Sequence, residues 1–348
     1  MEESMDLILR TLEALGIKGY EGKAYLTLLR IGEETAPKLA SKAGIPLPRV
    51  YDVLENLCRK GLIEIKAGRP RKYRALPPST ALTRYIRSYI EQIMSLNNRL
   101  VEELEKLYKT SETHEPYLWV SHSMDASVER TIEWIKQMTI DGYASLNLNI
   151  LSQILTTLTN KLSKETSIPF SITLIEYPNE EIIKKIEGIR NIRLLYQSTG
   201  FIKAFEQDFK RAVIFGKGYA LFTTEPELLV LLNDTYYFGY WRNVEVIKDF
   251  EVRSGDKYFA KHQWLVMPII DRALKENYTV FVNVVGKWVK TGKPAEVEAF
   301  AKGIYRSPDD RTRTIIVETG DGEELSIGGL GASVEDVEAH YIIVEIVG

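Results

Sequence analysis

Apolar residues recur every three or four positions through the first 60 residues, which is the spacing of amphipathic helices. Two helices are expected before Gly32. A third, short helix is expected over Pro37–Ala43 and a fourth from about Pro48 to Lys60, on either side of the turn Gly44-Ile45-Pro46. Two short helices joined by a turn that contains glycine are typical of a helix-turn-helix.

The residues after the fourth predicted helix follow the pattern of a β-hairpin. Leu62–Ile65 is expected to form a strand, Ala67–Pro70 a turn, and Arg71–Leu76 the returning strand. A hairpin directly behind the second helix of a helix-turn-helix is called a wing. Residues 1–77 are therefore predicted to form a winged helix-turn-helix domain.

A long amphipathic helix is expected over residues 78–110, because neither glycine nor proline interrupts the chain after Pro78. Its apolar residues follow the spacing of a coiled-coil seam. They are Leu82, Ile86, Tyr89, Ile93, Leu96, Leu100, Leu104 and Leu107. A coiled-coil homodimer is the favoured interpretation, and a helix packed on its own domain is the alternative. Residues 110–116 are expected to form a linker.

The pattern changes at Tyr117, after which predicted strands and helices alternate to about Glu276. This alternation is typical of an α/β layer with a largely parallel sheet, so residues 117–276 are expected to form an α/β domain that ends in a helix-rich piece. Residues 277–348 contain five predicted strands and a hairpin turn at Gly320-Asp321-Gly322, which predicts a small C-terminal β-domain or barrel. The predicted fold class is therefore α+β with several domains.

The charges are distributed unevenly along the 348 residues. The whole chain has a net charge of −3, but residues 35–74 contain ten basic and three acidic residues, a local charge of +7. The remainder is consequently acidic. One compact basic segment on an acidic protein is typical of a localised contact with nucleic-acid phosphates.

Cysteine content and hydropathy narrow the class of protein. A single cysteine, Cys58, excludes an intrachain disulfide framework, and no apolar run of 18 or more residues indicates a transmembrane helix. The acidic start of the chain lacks the basic and apolar regions of a signal peptide. A cytoplasmic protein without a membrane partner is expected.

The predicted winged helix places a set of residues where such domains contact DNA. The start of the fourth helix would enter the major groove, where Arg49 can bind a guanine edge or a phosphate. Arg69 and Arg71 are expected at the tip of the wing, near phosphates or the minor groove. The candidate DNA-binding residues are Lys38, Ser41, Lys42, Pro46, Leu47, Arg49, Tyr51, Arg69, Arg71 and Lys72. The alternative interpretation is an ordinary solvated basic face.

The sequence offers little support for catalysis. Its four histidines are His114, His122, His262 and His340, and no two have the spacing of a helical metal site. No Walker loop or GxGxxG element occurs, and Gly328-Gly329-Leu330-Gly331 is only a weak signal for phosphate binding. We therefore expect no enzyme activity, no metal ion and no cofactor.

Residues 44–61, the wing 68–73 and the long helix resemble the TrmB family of archaeal sugar-responsive transcriptional regulators. The tail motif Ile327-Gly328-Gly329, followed by Glu335-Asp336, is similar to the sugar-binding domain of that family. The resemblance covers essentially the whole chain. It implies a middle domain with a phospholipase-D-like fold and no catalytic function. That implication agrees with the lack of an HxKxxxxD motif around the histidines.

The resemblance also implies which residues bind a sugar. The family's ligand glycine falls on Gly329, its ligand glutamate on Glu335, and its ligand serine near Asp234 or Thr235. Its ligand asparagine aligns near Arg313, which is a departure, because arginine donates hydrogen bonds but cannot accept them. The implied effector is a di- or oligosaccharide such as maltose, or glucose. It would control binding to the promoters of sugar transport or metabolism genes.

Two other functions stay open beside this interpretation. One is a phospholipase-D-like nuclease, against which the missing motif argues. The other is an architectural DNA-binding protein without a small-molecule effector, which predicts salt-sensitive binding with little sequence preference. The favoured function is a sequence-specific regulator whose partners are double-stranded promoter DNA, a sugar and a second copy of the chain.

Overall fold

The computed structural model describes residues 2–108, 117–200, 202–242, 244–308 and 312–348. The chain divides into two compact units, Met1–Thr113 and His114–Gly348. No helix in these described ranges combines the length and the apolar character needed to cross a membrane.

The N-terminal unit consists of helices and a small antiparallel sheet of strand order β1-β3-β2. Its elements are α1 (Glu2–Ala14), α2 (Tyr20–Ile31), β1 (Glu33–Thr35), α3 (Ala36–Ala43), α4 (Leu47–Arg59), β2 (Ile63–Lys66), β3 (Lys72–Ala75) and α5 (Pro78–Tyr108). The predicted helix-turn-helix is confirmed as α3 and α4, and the predicted wing as the β2–β3 hairpin. Sequence reasoning misses β1, because three polar residues carry no alternating apolar signal.

The turn between α3 and α4 depends on Gly44. This residue has left-handed dihedral angles, φ 63° and ψ 39°, and its N–H donates to Ala40 O at the end of α3. A side chain is disfavoured in that conformation, so glycine ends the helix and redirects the chain. The next helix, α4, buries Val50, Leu54 and Leu57 against the unit's core, which leaves its opposite face toward solvent.

Only the first part of α5 packs against the other elements of the N-terminal unit. Ala81 and Tyr85 are buried, and Tyr85 OH donates to Leu15 O at 3.1 Å. From residue 90 to residue 104 every side chain is exposed. The later part of the predicted seam therefore packs on nothing within the described residues. The side chain of Leu107 and the predicted linker 110–116 lie outside them.

The first part of the C-terminal unit is an eight-stranded sheet with helices. Its elements are β4 (Leu118–Ser121), α6 (Met124–Gln137), β5 (Gly142–Leu146), α7 (Leu148–Lys164), β6 (Phe170–Leu174), α8 (Glu180–Glu187), β7 (Ile192–Tyr196), β8 (Lys203–Gln207), β9 (Arg211–Phe215), β10 (Ala220–Thr223), α9 (Pro226–Tyr236), a π-helical turn (Tyr237–Trp241) and β11 (Glu245–Lys248). The strand order is β11-β7-β6-β5-β8-β9-β10-β4.

The expectation of a largely parallel sheet is wrong. Among the described strands only β5, β6 and β7 run parallel, and every other neighbouring pair in this sheet is antiparallel. The physical reason lies in the connections. Helices α7 and α8 cross over between the parallel strands, whereas β8, β9 and β10 are joined by short turns that permit only antiparallel pairing. The sequence pattern also misses β8, which contains the buried polar residues Glu206 and Gln207.

The rest of the unit is a β-barrel with one helix. Its elements are β12 (Lys257–Ala260), α10 (Gln263–Lys275), β13 (Thr279–Trp288), β14 (Pro294–Arg306), β15 (Arg313–Thr319), β16 (Glu324–Gly328) and β17 (Val337–Val347). The order is β12-β17-β13-β14-β15-β16, and β16 also pairs with β17, which closes β13–β17 into a barrel. The five predicted tail strands and the hairpin turn between β15 and β16 are confirmed.

Sheet and barrel share one hydrophobic core. Tyr143 of β5 and Tyr236 of α9 belong to the same buried cluster as Val282 and Ile342 inside the barrel. Strand β12 pairs with β17, so the barrel sheet includes residues that precede the domain boundary predicted at residue 277. The chain segment predicted as helix-rich contains the strands β11 and β12 as well as helices, because it supplies an edge strand to each sheet.

Candidate nucleic-acid interface and ligand site

The start of α4 exposes an apolar, an aromatic and a basic side chain. Leu47 is 51% exposed and Tyr51 is 54% exposed, although both are large and apolar or aromatic. Arg49 is exposed beside them, as is Pro46 in the preceding turn. They are exposed because the buried residues of α4 occupy the opposite face of the helix. The structure thus brings the predicted groove-facing residues together on one surface.

Acidic residues of β1 neutralise part of the predicted basic surface. Lys42 Nζ lies 2.9 Å from Glu34 Oε2, and Lys72 Nζ lies 2.8 Å from Glu33 Oε1. Glu33 also pairs with Lys66 at 3.3 Å, and hydrogen bonds from Lys72 and Lys66 hold its pKa below the ordinary value. Both glutamates stand just before residues 35–74, the segment with a net charge of +7. The charge of that segment therefore overstates what remains available to a phosphate.

Four basic side chains of α3, α4 and the wing are not paired with these glutamates. Lys38, Arg49, Arg69 and Arg71 are exposed, and none forms an ion pair with a residue that the structure describes. Ser41 is exposed on the same helix as Lys38. These residues, with Leu47 and Tyr51, form what we call the reading surface.

The sugar-binding residues implied for α9 lie at its C-terminal end. Asp234 is exposed and Thr235 is half-buried. The neighbouring Asn233 accepts a hydrogen bond from Trp264 Nε1 at 2.8 Å, which fixes the end of α9 against α10. Tyr237 follows directly and begins the π-helical turn.

Gln263, at the start of α10, connects two of the implied ligand residues. Its Nε2 donates to Arg313 O at 2.9 Å and to Ile327 O at 2.8 Å. Gly329 packs against the same side chain, since a Cβ placed there would lie 3.3 Å from Gln263 Oε1. The Arg313 guanidinium stacks 3.6 Å from the centre of the Tyr237 ring. Sequence reasoning misses Gln263, whose only signal is an amide at the start of an apolar helix.

Glu335 belongs to a second group on the same strands. Its Oε1 accepts from Thr314 Oγ1 at 3.3 Å and its Oε2 from the Val334 N–H at 3.4 Å. Its side chain crosses Gly328, where a Cβ would lie 2.7 Å from Glu335 Cδ. Arg313 and Thr314 are successive strand residues, so their side chains point to opposite faces. The structure therefore brings Arg313 and Gly329 together around Gln263, and Glu335 together with Thr314 and Gly328.

The C-terminal unit contains a buried cluster of charged side chains that the sequence did not predict. His262 Nδ1 lies 3.0 Å from Asp141 Oδ2, and His262 Nε2 lies 3.3 Å from Glu206 Oε2. The N–H groups of Lys261 and His262 both donate to Asp141 Oδ2 at 2.8 Å. The ring N–H bonds are poorly aligned with the carboxylates, so these contacts act mainly as ion pairs.

The cluster shifts the protonation of its members. Burial raises the pKa of Glu206 to about 8, an effect that the charge of His262 opposes. Burial alone would lower the pKa of His262, but the carboxylates of Asp141 and Glu206 outweigh it and raise that pKa to about 9. Because all three side chains are inaccessible to solvent, the cluster joins the sheet to the start of α10 rather than offering a binding site.

Sequence models of one protein family match three successive segments of the chain. "Sugar-specific transcriptional regulator TrmB" matches residues 12–79, the N-terminal subdomain of the TrmB effector-binding region matches residues 117–248, and the C-terminal subdomain of the TrmB/TrmBL1 region matches residues 256–347. The matched segments correspond to the winged helix, the eight-stranded sheet with its helices, and the barrel with β12 and α10.

Two relatives are similar over most of the chain. The "HTH-type sugar sensing transcriptional regulator TrmBL1" of Pyrococcus furiosus is 26% identical over 97% of this chain and 98% of its own. The "DNA-binding HTH-type transcriptional repressor TrmBL2" of Thermococcus kodakarensis is 27% identical over 68% of this chain and 87% of its own.

Solved structures give more distant similarities. The archaeal chromatin protein TrmBL2 aligns with a TM-score of 0.49 at 19% identity, over 70% of this chain and all of that one. The phospholipase D family member Nuc from Salmonella typhimurium aligns with a TM-score of 0.31 at 15% identity, over 39% of this chain and all of that one. The sequence models and the near full-length relative carry the assignment. The chain belongs to the TrmB family of transcriptional regulators.

Proposed function

We propose that the chain binds promoter DNA in a sequence-specific manner and that a sugar bound to its C-terminal unit changes its DNA affinity. The observation that carries the proposal is the exposure of the α4 residues in the reading surface. Leu47 and Tyr51 expose more than half of their surface beside Arg49, at a position that no residue of the described core covers. Large apolar side chains exposed together commonly mark a binding surface.

The reading surface supplies two classes of DNA contact. Arg49 can bind the O6 and N7 acceptors of a guanine, and Leu47 or Tyr51 can contact a thymine methyl group in the major groove. Lys38, Arg69 and Arg71 supply charge for phosphates, which positions the domain without reading sequence. Specificity therefore resides in α4, and most of the salt dependence in α3 and the wing.

A homodimer through α5 is part of the proposal. Four apolar residues on one side of this continuous helix each expose about half of their surface: Ile93, Leu96, Leu100 and Leu104. Two such helices that pack along this seam bury the apolar side chains and hold two reading surfaces at a fixed separation. A winged-helix dimer of this kind binds two half-sites.

The proposed sugar site lies between α9 and the barrel. Sugars need fixed hydrogen-bonding groups and an aromatic wall. Asp234 and Thr235 supply polar groups from α9, and the half-exposed ring of Phe238 supplies an aromatic face. Glu335 crosses Gly328, the chain neighbour of Gly329, and is proposed to supply carboxylate oxygens from the second group of barrel residues. Gly329 lets the backbone approach the ligand closely.

Coupling follows if the sugar binds one arrangement of α9 and the barrel more tightly than another. A ligand that touches both elements favours the arrangement in which they are close. That preference changes DNA affinity only if the separation of the two reading surfaces in the homodimer differs between the two arrangements. We propose that α5 transmits this change.

The test measures binding of the full chain to labelled DNA from the region upstream of its own gene, with and without maltose, maltotriose and glucose. We expect one sugar to change the dissociation constant by at least ~5-fold. Unchanged affinity with every sugar contradicts the effector part of the proposal. The DNA is expected to be recovered intact, and its cleavage by purified protein favours the nuclease alternative.

Two variants separate base reading from phosphate binding. Arg49→Gln should reduce the preference for the specific site by about 1–3 kcal/mol, whereas Arg71→Gln should weaken binding to all sequences and reduce the salt slope by about 1. Arg253→Gln removes an exposed arginine from the other unit and serves as the control. Equal effects of all three variants on specific and random DNA contradict the assignment of α4 as the reading helix.

A further inference from the structure

Two arginines approach the same aromatic ring in the π-helical turn. The guanidinium of Arg313 and that of Arg242 each lie 5.6 Å from the centre of Phe238. The turn itself is held rigidly, because the hydroxyl of Tyr236, directly before it, lies 2.8 Å from Ser171 Oγ and 2.9 Å from Thr173 Oγ1. Two guanidinium groups therefore lie beside a turn that is anchored to the sheet.

Two more arginines extend this group of charges. Arg306 of β14 is the cross-strand partner of Arg313 in β15. Side chains of directly opposed residues project from the same face of a sheet, and like charges in that position repel. Arg193 lies over the Trp241 ring at 4.4 Å, and the charge of Arg306 adds to burial in lowering its pKa. We call Arg193, Arg242, Arg306 and Arg313 the arginine cluster.

A cleft of about 690 Å³ is lined by three members of the cluster, Arg193, Arg242 and Arg306. This volume lies in the range of sites for small ligands. The cleft is bordered by α10, whose cations and acids pair with each other, as in Lys275–Asp271 at 2.6 Å.

The described acidic residues that line the cleft already pair with basic side chains. Asp249 lies 3.0 Å from Arg193, and Glu276 lies 2.8 Å from Arg272. No acidic side chain among the described residues lies within ion-pair distance of Arg306 or Arg313. Among the described residues, the side chains that line the cleft therefore include more basic than acidic groups.

Arg313 has an additional unsatisfied donor. Its Nη1 is buried and has no hydrogen-bond partner among the residues that the structure describes. The guanidinium instead stacks on Tyr237, which gives it an aromatic contact but leaves this N–H without an acceptor. A buried donor without an acceptor is destabilising, and the destabilisation is larger for a charged group. An anionic oxygen placed beside Arg313 and Arg306 would relieve both the missing hydrogen bond and the repulsion.

We propose that the arginine cluster binds the phosphoryl group of a phosphate monoester and that the effector is a phosphorylated sugar. Guanidinium groups match phosphate oxygens with paired, charge-assisted hydrogen bonds, which a neutral sugar hydroxyl cannot replace. The sugar part of this statement rests on the proposed function. The phosphoryl part rests on the arginines alone.

The position of the cluster relates the two parts. Gln263 holds Arg313 O and packs against Gly329, so the backbone of Arg313 lies near the glycine at which the sugar ring is proposed to lie. The guanidinium of Arg313 extends from there to the Tyr237 ring. Phosphoryl binding at Arg306 and Arg313 therefore places the ester-linked sugar toward Gly329 and α9. The departure at Arg313 from the family's ligand asparagine then becomes a determinant of effector class.

Isothermal titration calorimetry on the full chain tests the proposal with inorganic phosphate, glucose 6-phosphate and glucose. We expect glucose 6-phosphate to bind at least ~10-fold more tightly than glucose and inorganic phosphate to compete with it. Arg306→Gln and Arg313→Gln should each weaken binding of both phosphate compounds by at least ~10-fold. Arg253→Gln, which removes an equal charge from an exposed position outside the cleft, should leave binding unchanged.

The outcomes separate this inference from the proposed function. Binding of glucose or maltose that is neither improved by a phosphate group nor changed by Arg306→Gln overturns the phosphoryl site and leaves a sugar effector in place. Binding of inorganic phosphate that needs both arginines, without any added affinity from a sugar, supports the phosphoryl site and contradicts the sugar. Failure of folded wild-type protein to bind inorganic phosphate and glucose 6-phosphate overturns the inference outright.

Discussion

His262 and Asp141 form an ion pair in the interior of the C-terminal unit, with 3.0 Å between Nδ1 and Oδ2. Asp141 stands directly before β5, and His262 stands directly before α10, so the pair joins the sheet to the helix that packs on the barrel. Gln263, the next residue, holds the strands that carry Arg313 and Ile327. The buried pair therefore fixes the base on which the proposed ligand site is built.

Replacement of His262 by alanine should destabilise the C-terminal unit by about 3–5 kcal/mol, because it leaves the carboxylate of Asp141 buried without a counter-charge. Urea denaturation followed by tryptophan fluorescence measures this loss, since all five tryptophans lie between residues 119 and 288. His340→Ala is the control, because His340 is exposed and its buried partner Glu338 keeps a second ion pair, with Lys287 at 3.1 Å. Equal losses in the two variants contradict the role assigned to the buried pair.

The same cluster predicts an unusual pH dependence. The pKa of Glu206 is raised to about 8 by burial. That of His262 is raised to about 9, because the neighbouring carboxylates outweigh the effect of burial. The folded unit thus binds more protons than the unfolded chain, so its unfolding free energy should fall as pH rises. The Glu206 contribution is complete below its ordinary pKa of 4.5 and is lost through pH 8. The His262 contribution is complete below 6.5 and is lost through pH 9.

Denaturation of the wild type and of Glu206→Gln across pH 5–9 measures this dependence. The two groups interact, so the transitions belong to the pair rather than to either residue. The variant should show a smaller decline with pH than the wild type. A wild-type stability that stays constant or rises between pH 6.5 and 9 is the result that contradicts the assignment.

The elements with a clear period could be predicted from sequence, and those without one could not. Helix α4 and the five tail strands have apolar positions at regular spacing, because each packs one face on a core. Strand β8 lacks that signal because Glu206 and Gln207 are buried in it. The strand directions in the sheet were predicted wrongly, because alternating strands and helices do not reveal which connections are too short for a crossover.

The sites were harder to predict than the elements, because their contacts span long distances in sequence. His262 pairs with Asp141 across more than 100 residues, and no spacing rule joins them. Glu33 precedes the basic segment by two residues, but its pairing with Lys72 depends on the register of β1 with β3. A count of charges along the sequence does not show which residues this register brings together.

Glu33→Gln should strengthen DNA binding and make it more dependent on salt. The change frees Lys66 and Lys72 on the wing from their ion pairs, and each lysine that then contacts a phosphate adds about 0.9 to the slope of log affinity against log salt. Fluorescence anisotropy at several salt concentrations gives the slope. Glu180→Gln, in an exposed turn of α8, changes the net charge equally and should leave the slope unaltered.

Gly328→Ala should disturb the barrel more than Gly329→Ala. A Cβ at position 328 would lie 2.5 Å from Ala332 Cβ and 2.7 Å from Glu335 Cδ, whereas one at 329 meets its nearest atom at 3.3 Å. Overpacking of the first kind typically costs about 1–3 kcal/mol and would displace the Glu335 carboxylate. Denaturation and sugar binding of both variants test this order, and equal behaviour of the two shows that Gly328 does not position Glu335.

A single charge on the apolar face of α5 should dissociate the proposed homodimer. Ile93 and Leu100 lie one heptad apart and each expose about half of their surface, so Ile93→Asp or Leu100→Asp would place carboxylates in the seam. Ser95→Asp puts the same charge on the polar face of the helix and serves as the control. Sedimentation equilibrium should show monomers for the two seam variants and dimers for the control and the wild type. A dimer that survives both seam changes means that another surface joins the two copies, and α5 then cannot set the separation of the reading surfaces.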